Sequence, residues 1–307
     1  MTWIAISILA YFLTALSSIL DKVLLRKGIP NPLAYTFYVG VFGFFVILFA
    51  PFGFSFPAVS LALFSLVTGF LFIAALWAFF VALHESSVSD VVTLLGATTP
   101  IFILTMTSAL YGTSLSVSDF TALLLLIVGG MLISATYTDG EPWYRFYHFR
   151  CFESVLTVIF SSFLFALFFI FSKYVFNHID FLSGFILTRS GSLLFVLLLL
   201  LIPSLRKSIF SSSKKVSKKT GVVFISNKII GGVASVLISY AVAIGNPLFV
   251  NALEGIKYVF VLALVYIISR FNPMILQEQF SRVVIIRKLI SIILIFIGLV
   301  VLVTNPV

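Results

Sequence analysis

Apolar runs of bilayer length, joined by short polar links, dominate this chain of 307 residues and leave it few folds to choose from. A helix that crosses a bilayer needs about 20 consecutive apolar residues. Ten segments qualify as candidates: spans 1 to 10 at 2–21, 33–50, 58–83, 88–111, 117–136, 154–176, 181–202, 221–244, 248–269 and 284–304. Hydrophobic residues make up 61% of the chain and charged residues 9%, where a soluble domain carries about a quarter. No segment alternates apolar and polar residues long enough to supply the strands of a membrane β-barrel. The expected class is therefore an all-α integral membrane protein. The first run lacks a basic leader and a small-residue cleavage site, so it reads as a retained helix.

The net charge of +9 raises the question of nucleic acid. The basic residues, however, fall in links between apolar runs and make no folded basic face. They follow the odd-numbered spans, with the exceptions of Lys173, Arg189, Lys228 and Lys257, which lie inside apolar segments. Positive-inside logic places the odd links in the cytoplasm and both termini outside. The densest basic link is 203–220, and a polar link at 137–153 carries Asp139, Glu141, Arg145 and Arg150. The expected partners are the lipid bilayer and a small solute, with no nucleic acid and no cofactor, in a monomer or homodimer. The expected location is a bacterial or archaeal plasma membrane. Cys151 is the single cysteine, so no internal disulfide can form.

The two halves of the chain resemble each other. LSSILDKVLL around Lys22 matches LFFIFSKYVF around Lys173, and each leads through a short polar link into another apolar run. ALHESSVSDVVTLLGATTPIF matches AVAIGNPLFVNALEGIKYVF, where one long run breaks and another begins at once. The halves end alike, in LLLLIVGGMLIS and IILIFIGLVVLV. The division is 1–136, a linker at 137–153, and 154–307. A unit with an odd number of spans enters the membrane a second time from the opposite side, which gives two inverted five-helix repeats. Such repeats bind substrate near the midplane and expose it by alternating access.

These features resemble the drug/metabolite transporter superfamily, and within it the EamA-like branch. The resemblance rests on the doubled five-span unit, on the stretch ALHESSVSDVVTLLGATTPIFILTMTSALYGTSLS, and on the glycine-containing last span of each half. It implies a secondary transporter of amino-acid-like, metabolite or amphipathic solutes. The chain departs from the family in two ways. A Gly-Glu-Arg-like sequence common after the fourth span is replaced by Tyr111-Gly112-Thr113-Ser114-Leu115. Many relatives also keep both termini in the cytoplasm, against the charge pattern here.

Ionisable groups inside a span cost several kcal/mol unless paired or wetted, so they mark polar cavities. Glu254 and Lys257 are three residues apart and share a helix face. Arg189 lies roughly 12 Å into span 7, and Glu254 and Lys257 roughly 9 and 14 Å into span 9. All three fall in one layer. They could hold a zwitterion, with Arg189 or Lys257 toward a carboxylate and Glu254 toward an amine. Glu254 could instead carry a proton, or the charges could pair and only pin helices together. Trp77, Tyr38, Tyr240, Tyr258 and Asn251 complete the expected substrate-binding set, and Tyr35 is a further candidate for an aromatic wall.

His84, Glu85 and Asp90 surround the break between spans 3 and 4 and read either as a gate or as a solvated turn. Asp21 and Lys22 read as an interfacial ion pair at the end of span 1, and Lys173 as a cation snorkelling to the interface. Lys228 reads equally as interfacial or cavity-facing. Pro100 and the glycines at 69, 96, 129, 130, 231, 232 and 255 allow kinks and close helix contacts.

No spaced His/Cys set points to a metal, and no phosphate-binding loop points to ATP drive. Two other classes stay open. One is a flippase for a lipid-linked intermediate on the same scaffold. The other is an intramembrane lipid-modifying enzyme, which would need a nucleophile or paired acids beside Glu254.

Overall fold

The computed structural model describes residues 2–111, 116–134, 149–213, 217–271 and 282–304. The tetrapeptide after Tyr111 and most of the polar link at 137–153 lie outside the described residues. The helices are α1 (Thr2–Lys27), α2 (Pro32–Gly43), α3 (Val59–Glu85), α4 (Val88–Tyr111), α5 (Val117–Ser134), α6 (Phe149–His178), α7 (Phe181–Leu199), α8 (Pro203–Ser213), α9 (Lys218–Ile244), α10 (Pro247–Ala252), α11 (Gly255–Phe271) and α12 (Arg282–Thr304). A 3-10 helix, Phe44–Phe52, continues α2. There is no strand among the described residues. Helix overlaps each of the ten expected spans, and among the described residues seven helical segments, one of them α2 together with its 3-10 extension, are long and apolar enough to cross a membrane. Large side chains such as Phe52, Leu63 and Val117 stand exposed along them, which is tolerable only in lipid. The protein is an all-α integral membrane protein.

Local chemistry explains the boundaries. Asn31 caps α2 by accepting the Leu33 N–H at 2.9 Å, and Pro32 follows at the first helical position. Asp180 caps α7 by accepting the Ser183 N–H at 2.9 Å. The structure corrects four sequence readings. Span 2 is α-helical only to Gly43 and then tightens into the 3-10 helix. Pro51, which cannot donate and crowds the preceding turn, lies in that segment. The link at 203–220 contains α8, opened by Pro203 and resting on α2 through Phe210 and Phe37, ring centroids 6.2 Å apart. Span 9 is not continuous: it unwinds at Leu253–Glu254, between α10 and α11. Gly255 weakens the helix there, and the Tyr11 hydroxyl takes the freed Val250 carbonyl at 2.8 Å.

The fourth correction concerns Asp21, Lys22 and Lys173. Asp21 and Lys22 lie within α1, six and five residues before its last residue, Lys27. The Lys22 ammonium donates to the carbonyls of Leu83, His84 and Ser86 at 2.6, 3.1 and 2.6 Å, closing the C-terminus of α3. The Lys173 ammonium does the same for α9, reaching Val242, Ala243 and Gly245 at 3.3, 3.0 and 2.8 Å. Both cations satisfy carbonyls that a helix end leaves without partners and sit at the negative end of its dipole. The sequence match between Lys22 and Lys173 is thus also a match of local structure.

Helix contacts repeat in the same way. α1 packs along α9 as α6 packs along α3, and α1 touches α11 as α6 touches α4. α2 meets α7, and α5 lies along α12. The pattern breaks most strongly at one pairing. α3 packs along α7 for much of its length, whereas α9, which stands to α1 as α3 does to α6, barely touches α2. The α3–α7 crossing is tight enough to need glycine on both sides. A Cβ on Gly69 would lie 1.9 Å from the Thr188 carbonyl oxygen, and one on Gly191 2.1 Å from that of Leu66. The Ser192 hydroxyl donates to the Gly69 carbonyl at 2.9 Å across the seam.

Candidate functional site: a charged cavity between the helices

The loose side of the bundle encloses a cavity of about 750 Å³. Its walls come from α1, α2 with its 3-10 extension, α3, α6, α7 and α9, with Leu95 from α4, Glu254 from the α10–α11 break and Lys257 from the first turn of α11. The wall is mainly apolar, and the charged groups fall into three clusters.

The first centres on Asp21. Its carboxylate accepts from the Tyr35 hydroxyl, from the Asn227 amide at 2.5 Å and from the Lys228 ammonium at 2.8 Å. Lys228 also lies 4.6 Å from the Tyr35 ring centroid. Asp21 and Lys22 are neighbours yet serve different helices, because adjacent residues point about 100° apart around a helix. The second cluster is the buried Glu254–Lys257 ion pair, held within one turn at the helix break. Lys257 donates its backbone N–H to the Glu254 carbonyl at 2.8 Å, so the turn is tight as well as charged.

The third cluster is Arg189 on α7. Its guanidinium donates to the Ser235 hydroxyl at 2.5 Å. It lies 3.9 Å from the Phe72 ring centroid and 4.8 Å from that of Phe185. The residue is 6% exposed. No carboxylate of the described residues forms an ion pair with it. Cation–π contacts at desolvated sites supply about 2 kcal/mol, which lowers the cost of burying this charge but does not neutralise it.

Of the expected substrate-binding residues, Arg189, Glu254 and Lys257 line the cavity. Trp77 and Tyr38 pack against the main apolar core, Tyr38 edge-on to Phe224. Tyr258 is buried against Gly96, and the Asn251 amide donates to the Pro247 carbonyl at 2.9 Å. Tyr240 is 41% exposed and meets Phe181 edge-on. None of these five is part of the cavity wall.

Around the α3–α4 break, His84 and Glu85 are exposed, and Asp90 pairs with Lys288 of α12 at 3.1 Å. The structure does not bring His84, Glu85 and Asp90 together as one cluster. The described residues contain no group of three or more His, Cys, Asp and Glu that could hold a metal. Sequence reasoning missed Asp21 as a cavity residue, together with Ser235, Phe72 and Phe185. Lys228 carried a signal, as a cation inside an apolar run, but its partner is distant in sequence.

Fold and site together define a class: an all-α membrane protein whose helix bundle holds a cavity with buried charges. Comparison with known proteins adds the fold and no more. No family model matches the chain, and no curated protein matches it. A solved structure described only as "Crystal structure of protein" shares the fold with a TM-score of 0.59 at 14% identity, covering 98% of this chain and 94% of that one.

Proposed function

We propose that the chain is a secondary transporter of the drug/metabolite transporter superfamily, EamA-like branch, built from two inverted five-helix repeats. It moves a small amphipathic solute by alternating access. The observation that carries this reading is the largest break in a packing scheme that otherwise largely repeats between the halves. α3 is sealed on α7 through Gly69 and Gly191, while α2 and α9 stand apart around the cavity. Two related halves in different packing states are what a rocking mechanism needs, because exchanging the two seams exposes the same site to the other side. The α2–α9 pair carries glycines for a second close seam: Gly43 lines the cavity, and a Cβ on Gly232 would meet nothing within 4 Å. The cavity acids are each tied to a cation, Asp21 to Lys228 and Glu254 to Lys257, an arrangement that suits a shaped binding site.

The test is a Thr14→Cys reporter, on the α1 wall of the cavity, in a Cys151→Ser background, labelled with a membrane-impermeant maleimide added to one side of the membrane at a time. Alternating access predicts labelling from both sides. Labelling from one side only, under every condition of pH and added solute, would overturn the proposal.

A further inference from the structure

The cations of the cavity are not equivalent. Lys228 has Asp21 and Lys257 has Glu254. Arg189 has the Ser235 hydroxyl and two aromatic faces, which leaves most of its five N–H donors unused by the hydrogen bonds of the described structure. A guanidinium held this way on a cavity wall recognises an anionic group, carboxylate or phosphate, with charge-assisted hydrogen bonds.

The entrance points to the rest of the ligand. α2 and its 3-10 extension touch α9 through Phe224, which lies 5.6 Å from Phe42 and 6.1 Å from Tyr38 between ring centroids. Farther along, the helices part. Every cavity-lining residue that is also exposed lies on these two elements, and every one is apolar, including Phe45, Leu48 and Phe49 on one side and Ile229 and Val233 on the other. Ile229, Val233 and Phe45 sit toward the middle of their spans and Leu48 and Phe49 nearer the end of theirs, so most of this rim opens between two spanning helices onto hydrocarbon. A hydrophilic solute would meet no polar group at this rim. A cavity of about 750 Å³ is within the usual range for enclosing a drug-sized ligand, roughly 300–1,000 Å³.

We propose that the ligand is a single-chain amphipathic anion that enters sideways from the bilayer between α2 and α9. Its anionic group sits on Arg189 and Ser235, and its chain lies against Phe72, Phe185 and the apolar rim. This names the substrate class of the proposed transporter and rests on that reading only for the word substrate. The binding itself stands on the cavity.

The test is photolabelling of the purified protein in nanodiscs of neutral lipid with a diazirine derivative of myristate. Myristate, myristyl phosphate, myristyl alcohol, acetate and inorganic phosphate serve as competitors. The expected result is labelling of peptides from α2 and α9. The long-chain anions should compete at least roughly 30-fold better than the alcohol, as expected for a buried charge pair. The better of myristate and myristyl phosphate identifies the headgroup, and acetate and inorganic phosphate should not compete. Arg189→Gln should abolish the preference for anion over alcohol, and Arg189→Lys should restore part of it. Gly232→Trp, placed where the gap is open, should block labelling while leaving the helix intact.

Equal competition by myristyl alcohol and myristate in the wild type would overturn the proposal, and so would undiminished labelling of Gly232→Trp. Competition by acetate as effective as that by myristate would show a water-borne ligand instead. Labelling needs no turnover. Success here with one-sided labelling of the Thr14→Cys reporter would sink the transporter and leave the binding site, and the reverse pair of results would do the opposite.

Discussion

Replacing Lys22 by methionine keeps the length of the side chain and removes only the ammonium. That ammonium is buried and holds three carbonyls at the end of α3. The Leu83 contact is fully buried, so its carbonyl is left without a partner, at about 1–3 kcal/mol. The His84 and Ser86 carbonyls are partly open and recover some bonding from water. Loss of a cation at a helix C-terminus adds roughly 0.5–1 kcal/mol. The total is about 3 kcal/mol, a shift of roughly 6–12 °C in Tm on the scale of large domains. Lys173→Met disturbs the matching site on α9, where all three carbonyls are partly open, and should cost less, about 1–2 kcal/mol. Thermal unfolding of purified protein in one detergent, with Lys22→Arg as the variant that keeps the charge, measures all three. A Lys22→Met loss below about 1 kcal/mol, or equal losses for Lys22→Met and Lys22→Arg, would refute the assignment of this lysine as a helix-end cation.

Three further outcomes follow from the packing. Gly69→Leu, which drives a side chain into the α7 backbone, should cost about 3 kcal/mol or more, while Gly232→Leu should stay within about 0.5 kcal/mol, both read by thermal unfolding. Asp21→Asn strands the Lys228 ammonium and should cost about 3–5 kcal/mol; Asp21→Asn with Lys228→Met should recover most of that loss, and additive losses would contradict the pairing. Asp180 lies outside the spans. Burial pushes its carboxyl up, but hydrogen bonds from the Ser183 N–H, the Ser55 hydroxyl and the Ser183 hydroxyl outweigh that and hold it below 3.8. A depressed carboxyl pKa contributes stability above the unfolded value and loses it as pH falls through the folded one. The Tm difference between wild type and Asp180→Asn should therefore be constant above about pH 5 and shrink below about pH 4.

The helices were legible because lipid imposes their length and composition, so runs of apolar residues mark them directly. Lys22 and Lys173 were legible as equivalent but not as helix-end cations, because the carbonyls they serve belong to α3 and α9, far along the chain. The Glu254–Lys257 pair could be read from its spacing on one helix face. The Asp21–Lys228 pair could not, since the register between α1 and α9 is set by packing. Trp77 and Tyr240 were poor guides for a related reason. With 36 phenylalanines in the chain, an aromatic residue says little about which way it faces. The unwinding at Glu254 left only a weak mark in Gly255, because the Tyr11 hydroxyl that supports it comes from the other half of the chain.

The central claim is that the α2–α9 and α3–α7 seams exchange. Electron–electron distance measurements in nanodiscs test it directly, with spin labels at Phe49 and Val233 in one sample and at Val67 and Leu194 in another, all exposed positions. The account predicts two populations in each sample, with the shorter α2–α9 distance growing under the same conditions as the longer α3–α7 distance. A single unchanging distance in both samples, across pH and with or without a long-chain anion, would contradict it.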